Sequence, residues 1–151
     1  MPELPEVETL CRQLNELLPG EEVRSIWIVD PRLGKAPRLA GRRIVSVRRR
    51  GKFLRIEMDR GLTAALHLRM TGRLLWQDHA APVPPHTRMI ISVGNGRLVL
   101  IDPRRFATFS VRPADACAAP LENPLEEFPA HRLREIAGGR RLPVKSFLMD
   151  Q

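Results

Sequence analysis

The sequence predicts a mainly β fold, a two-layer antiparallel β-sandwich of about eight strands led by one N-terminal α-helix. Three observations predict it. Eight short runs rich in β-branched and aliphatic residues follow one another between Val23 and Arg112, turn-forming residues separate several of them, and one stretch of helical periodicity precedes them all.

Val7, Leu10, Leu14 and Leu17 are spaced three, four and three apart, which places them on one helical face, and Pro19-Gly20 ends the pattern. The strand-like runs are 23–30, 43–48, 52–58, 62–68, 73–77, 88–93, 97–101 and 107–112. Asp59-Arg60-Gly61 and Asn95-Gly96 read as hairpin turns, Asp102-Pro103 interrupts a further pair, and His79 to Pro85, with three prolines, reads as a loop. Beyond Pro113 the composition shifts to Pro, Ala and Glu, with a short helix expected over 130–137. The stretch from Val144 to Gln151 reads as the opening of another helix with no end. The expected organisation is therefore a helix-plus-sandwich domain over 1–112, a linker over 113–143, and the start of a further helical domain over 144–151.

A chain of 151 residues with 43% hydrophobic composition can bury one core without staples. Cys11 and Cys117 are too few for a disulfide framework and half of a four-cysteine metal site, so both are expected to be reduced thiols in or near the core. There is no run of about eighteen apolar residues, and the N-terminus is acidic where a signal peptide is basic, so no membrane association is expected and the chain is expected to be cytoplasmic.

The net charge of +8 is unevenly placed. Residues 1–22 carry six acids against Arg12 alone, whereas residues 23–112 carry nineteen Lys or Arg against five acids. A load of that size points to a polyanionic partner, because each neutralised phosphate releases counterions.

Pro2 follows the initiator methionine, and small second residues permit methionine removal. Glu3, Pro5 and Glu6 come next. A freed Pro2 is a secondary amine with a reference pKa of about 8, partly neutral at neutral pH and able to attack an electrophilic sugar carbon. A neighbouring carboxylic acid can move protons between sugar and amine.

The opening Pro2-Glu3-Leu4-Pro5-Glu6-Val7-Glu8-Thr9 resembles the N-terminal signature of the formamidopyrimidine-DNA glycosylase family. Gly51-Lys52-Phe53 falls where that family has its β-hairpin lysine. His67-Leu68-Arg69-Met70-Thr71-Gly72 resembles its His-Leu-x-Met-x-Gly segment, and Asp102-Pro103-Arg104-Arg105-Phe106 its arginine-phenylalanine loop. Lys145 to Gln151 is similar to the family's entry into a helix-two-turn-helix domain. Five motifs in the family's order span the chain, and Leu4 in the opening motif is similar to the oxidised-purine branch.

The resemblance implies a DNA glycosylase and AP lyase of base excision repair, acting as a monomer on damaged double-stranded DNA in the bacterial nucleoid and removing 8-oxoguanine and formamidopyrimidines. It implies Pro2 as nucleophile at C1′, Glu3 as proton donor to the sugar ring oxygen, and Lys52 as a cation against phosphate or the lesion nucleotide that also disfavours protonation of Pro2. Met70, Arg104 and Phe106 match the residues that fill the stack after base flipping, and Arg105 shares their loop. Composition alone makes Met70 a core residue, on one strand face with Leu66 and Leu68. His67 is either a phosphate contact or a hydrogen-bonded strand histidine. His86 matches a family histidine, with Arg88 where a second is usual and Ala107 where glycine usually follows the phenylalanine. Glu6 either supports the site or caps the helix. The family's second half, with its four-cysteine zinc finger, has no counterpart in this sequence, so no cofactor or metal is expected. The alternative class is a non-catalytic basic β-sandwich that binds DNA or RNA.

Overall fold

The computed structural model describes residues 2–36, 39–114, 134 and 138. The chain divides into compact units Met1–Pro120 and Leu121–Gln151, and the β-sandwich lies within the first. The linker helix expected over 130–137 and the helix opening expected over 144–151 lie almost wholly outside the described residues, as does Cys117.

Helix α1 runs Leu4–Leu17. Its buried stripe is Val7, Cys11 and Leu14, with Leu18 just past its end, while Leu10 is half-buried and Leu17 exposed. The expected face is thus displaced at two of four positions, because spacing of four, three and four follows the 3.6-residue pitch more closely than three, four and three. The helix docks on the edge strand β2, where Asn15 Oδ1 accepts from the Val47 N–H at 2.7 Å and Cys11 Sγ donates to the Val47 carbonyl at 3.5 Å. Polar groups on the helix thereby occupy an exposed strand edge that would otherwise template pairing.

Eight strands follow: β1 Ser25–Ile28, β2 Ile44–Arg50, β3 Phe53–Met58, β4 Leu62–His67, β5 Arg73–Gln77, β6 Thr87–Val93, β7 Gly96–Ile101 and β8 Thr108–Pro113. They form two four-stranded antiparallel sheets, ordered β1-β6-β7-β5 and β2-β3-β4-β8. The inward rows interdigitate Val47, Leu54, Ile56, Leu66 and Phe109 with Ile91, Leu98, Leu100 and Leu74. The mainly β sandwich with one leading helix is the fold the residue pattern predicts.

Two turns differ from expectation. β2 continues to Arg50, so the β2–β3 connection is the two-residue turn Gly51-Lys52, with Gly51 at φ +55 in the first central position that favours glycine. The β6–β7 turn is Gly94-Asn95, because Val93 pairs with Gly96 and Gly96 belongs to the strand. A Cβ at Gly96 would stand 2.5 Å from the Trp76 ring, so that glycine serves a close approach across strands β7 and β5.

Register places the functional segments. Phe53 pairs with His67 and His67 with Thr108, while Arg73 pairs with Ile101 and Ile101 with Thr87. The Gly51-Lys52 turn, the β4–β5 crossover 68–72, the β7–β8 crossover 102–107 and the approach to β6 at His86 therefore all emerge at one end of the sandwich. At two of these four the chain passes from one sheet to the other, which gives their loops rigid strands at both ends.

Candidate active site

The N-terminus joins this end through Lys52, whose Nζ lies 3.0 Å from Glu3 Oε2; the Lys52 side chain is 13% exposed and that of Glu3 54%. Glu3 stands at the start of α1, and the Glu6 carboxylate accepts from its backbone N–H at 2.8 Å, the return half of a capping box. Glu6 thus caps the helix on which Glu3 is mounted. Pro2, Glu6, Val7 and Leu10 form one side of a cleft of about 710 Å³, and Leu68, Met70, Thr71, Gly72 and Pro103 form another. The cleft combines apolar groups with Pro2 and the Glu6 carboxylate.

Met70 is 47% exposed, whereas Leu66 and Leu68 are buried. Arg69, at φ +55, breaks the alternation of the strand, so Met70 leaves the core face on which composition alone would place it. Phe106 is likewise 47% exposed, and the Arg104 guanidinium lies 4.9 Å from its ring centroid. Both apolar groups remain accessible on crossover loops, where a core reading would have hidden them.

Asp102 organises the second loop. It is fully buried, and its carboxylate accepts from Thr71 Oγ, from the N–H of Arg104 at 3.2 Å, and from the N–H groups of Phe106 and Ala107 at 2.7 Å each. Burial alone pushes this carboxyl up; the hydrogen bonds from Thr71, Ala107, Phe106 and Arg104 outweigh it and hold the group below the ordinary carboxylate value. The Asp102 N–H donates to the His86 carbonyl at 3.0 Å, and Arg88 Nε donates to the Asp102 carbonyl at 2.8 Å. Arg88, where the family's second histidine is usual, therefore braces the loop. Ala107 is buried in the core, and its side chain fits where glycine is usual.

Arg105 makes a bidentate pair with Asp30, at 2.7 and 2.8 Å. Asp30 is 2% exposed, and the Arg105 hydrogen bonds hold its carboxyl down at about 2. Arg105 is thereby tied to the end of the β1 segment while its neighbours Arg104 and Phe106 stay exposed. His67 lies edge-on to Phe53 at 4.6 Å, and its Nδ1 accepts from the Arg69 N–H at 3.0 Å. The neutral ring then carries its proton on Nε2, a donor suited to a phosphate oxygen. Burial, then the nearby Arg69 and Lys52 cations, lower its pKa and favour that neutral form. His86 is exposed at φ +62, away from the cleft lining.

The structure thus brings Pro2, Glu6 and Met70 to one cleft, pairs Lys52 with Glu3 next to Pro2 in the chain, places Arg104 and Phe106 on the adjoining loop, and ties Arg105 to Asp30. Sequence reasoning missed Glu8, Arg49, Asp30 and Asp102. Asp102 had a readable signal, an Asp-Pro turn followed two and four residues later by the loop N–H groups it holds. Asp30 had none beyond its place at the end of a strand. Among the described residues no cluster of three or more His, Cys, Asp or Glu is placed to hold a metal ion, and no helix is long and apolar enough to cross a membrane.

Residues 1–109 match the family profile of the formamidopyrimidine-DNA glycosylase N-terminal domain. The chain belongs to the formamidopyrimidine-DNA glycosylase family. Formamidopyrimidine-DNA glycosylase of Moorella thermoacetica is 37% identical over the whole of this chain and 61% of its own length. That of Stenotrophomonas maltophilia is 39% identical over the whole chain and 60% of its own. The chain therefore spans about three fifths of the curated relatives it matches. Among solved structures, Lactococcus lactis Fpg in complex with an abasic site containing DNA is similar at a TM-score of 0.73 and 31% identity, covering 76% of this chain and 45% of that one. The same enzyme with an N7-benzyl-Fapy-dG containing DNA gives a TM-score of 0.74 and 32% identity over 77% of this chain and 45% of that one.

Proposed function

We propose that this chain carries the catalytic half of a base excision repair enzyme, a DNA glycosylase and AP lyase that acts on oxidised purines, 8-oxoguanine and formamidopyrimidine, in double-stranded DNA. The observation that carries the reading is the Glu3–Lys52 contact of 3.0 Å next in the chain to Pro2, which lines a cleft together with an exposed Met70. Carboxylate, cation and N-terminal proline are the three groups that an iminium route requires.

With Met1 removed, the Pro2 nitrogen attacks C1′ of a flipped nucleotide, and the C1′–base bond breaks with its electron pair leaving on the base. The proton lost from the new ammonium passes to Glu3. Glu3 returns it to O4′ as the C1′–O4′ bond opens and the nitrogen lone pair forms the C=N bond. Loss of a C2′ proton then expels the 3′ phosphate and cuts the strand, and water releases the sugar from Pro2. The Lys52 ammonium disfavours a second positive charge on Pro2 and so preserves its lone pair. Met70, Arg104 and Phe106 enter the space vacated by the flipped base, a thioether, guanidinium and ring each able to replace stacking. His67, through Nε2, and the basic surface contact phosphate.

The test is borohydride trapping on duplexes carrying 8-oxoguanine or an abasic site, with loss of Met1 verified by mass. A covalent protein–DNA band that weakens in Pro2→Gly and Glu3→Gln is expected. A folded, Met1-free chain giving no band on the abasic duplex would sink the reading and leave a DNA-binding module.

A further inference from the structure

Beneath the exposed site lies a buried charge that the proposed chemistry does not use. β2 ends in three arginines, and its register puts Arg49 in the inward row with Leu54, Leu66 and Phe109, whereas Arg48 is exposed. The Arg49 side chain is 1% exposed. Its Nε donates to Glu8 Oε2 at 2.7 Å and its Nη1 to the Gly51 carbonyl at 2.8 Å. Glu8 sits on α1, the helix whose first turn carries Pro2 and Glu3; Gly51 is half of the two-residue turn whose other half is Lys52. The second Glu8 oxygen accepts from Arg12 Nε at 2.8 Å on the outer side, where the Arg12 side chain is 77% exposed.

A closed circuit results, from Glu3 through α1 to Glu8, across Arg49 to Gly51, and through Lys52 back to Glu3. We infer that Arg49, held by Glu8, is a positioning residue that sets the Lys52 ammonium against Glu3 and Pro2 by gripping the turn and the helix at once. This inference rests on the proposed glycosylase and lyase reading for its catalytic consequence, but its geometry does not. A planar guanidinium suits the task because one nitrogen binds the carboxylate while another, held at a fixed separation, reaches the turn carbonyl, whereas a lysine has all its donors on one nitrogen. A guanidinium so buried is costly to retain, and an inward strand position ordinarily takes an apolar side chain.

The test compares Arg49→Lys and Glu8→Gln with Arg12→Gln in the full chain, the last removing only the exposed partner. Glu8 lies on the partly exposed helix face, so its variant is expected to fold even if Arg49→Lys does not. Two readouts are taken on variants with cooperative melts. The first is acylation of Lys52 by acetic anhydride, read by peptide mass spectrometry, which depends on the turn and not on catalysis. The second is the rate of borohydride trapping on an abasic duplex across pH, with duplex affinity measured alongside. The charged groups around Pro2 in that profile are Glu6 and Arg73, which line the same cleft, and Glu3, its chain neighbour, with the Lys52 paired to it.

In Glu8→Gln and Arg49→Lys, Lys52 acylation is expected to rise several-fold. Trapping is expected to slow by about ten-fold or more at unchanged affinity, as misplacement of a catalytic group does. Its rising limb is expected to move to higher pH as the Lys52 cation withdraws. Arg12→Gln should match the unsubstituted chain in all of these. Folded variants whose Lys52 labels as in the unsubstituted chain would overturn the inference, as would an equal response from Arg12→Gln. A normal labelling response together with no trapping by the unsubstituted chain would sink the glycosylase reading and leave the positioning contact standing.

Discussion

Replacing Asp102 by asparagine removes one charge and almost no volume, so its effect isolates the carboxylate's hydrogen bonds. The amide keeps one oxygen, which is best placed toward the Phe106 and Ala107 N–H groups, both at 2.7 Å. Its NH2 then faces Thr71, whose hydroxyl can rotate to accept, and the Arg104 N–H, which cannot. Three charge-assisted bonds become neutral at about 0.5–1 kcal/mol each, and one N–H loses its acceptor in a part-buried loop at about 1 kcal/mol, giving about 2–4 kcal/mol in all. For a unit of this size that lowers Tm by roughly 10 °C.

Urea unfolding at neutral pH measures the loss directly. The pH dependence supplies a second, independent reading. Because the folded-state pKa of Asp102 lies below its unfolded value, its contribution is complete above the ordinary carboxylate range and is lost as pH falls through the lower folded value. The gap between Asp102→Asn and the unsubstituted chain should therefore narrow on acidification. A gap under about 0.5 kcal/mol at neutral pH, or one that widens in acid, refutes the view that this carboxylate holds the loop.

Arg105→Gln should abolish the stability that Asp30 contributes between its ordinary value of 3.8 and its folded value of about 2, flattening the acid limb of an unfolding titration over that window. An unchanged limb would show that the pair is not formed in solution. Met70→Ala and Phe106→Ala each truncate a side chain that is 47% exposed, so each should cost no more than about 1 kcal/mol in urea unfolding, while the proposed excision of 8-oxoguanine should slow by ten-fold or more. Losses near 3 kcal/mol would return these residues to the core. Gly96→Ala brings a methyl to 2.5 Å from Trp76 and should cost roughly 1–3 kcal/mol, with a changed near-UV signal from that indole.

The fold was legible because its signals are local. The β-rich runs correspond to all eight strands, with ends displaced by two residues at most, and the Asp59-Arg60-Gly61 turn appears where its residues predict it. Errors arose where tertiary contact chose between near-equal local options. The face of α1 is decided by the β2 edge, where the Val47 carbonyl accepts from Cys11 and the Val47 N–H donates to Asn15, and the helical spacing alone could not select Cys11 over Leu10. Gly96 looks like half of a turn in sequence, and only Trp76 on the neighbouring strand explains its place inside β7. The exposed site residues were found through motif order, whereas Asp30 and Arg49 act through partners seventy-five and forty-one positions away, a separation that no spacing pattern reports.

The acids that sequence reasoning passed over explain how so basic a surface stays in register. Residues 23–112 contain only five acids. Two of them, Asp30 and Asp102, are buried beneath the 102–107 loop, and a third, Glu57, pairs with Arg48. Asp30 and Asp102 turn their charge inward, fixing backbone and guanidinium groups, whereas Glu57 sits against an exposed Arg48. Uncompensated arginines on flexible loops would repel one another and lose orientation. Carboxylates set below the loops hold Arg105 and the Phe106 backbone without screening Arg104, and Glu8 does the same for the Lys52 turn through Arg49. A site suited to a polyanion gains twice from that arrangement, since the loop that carries the exposed Arg104 is fixed from below while the apolar groups beside it are held by strands from both sheets.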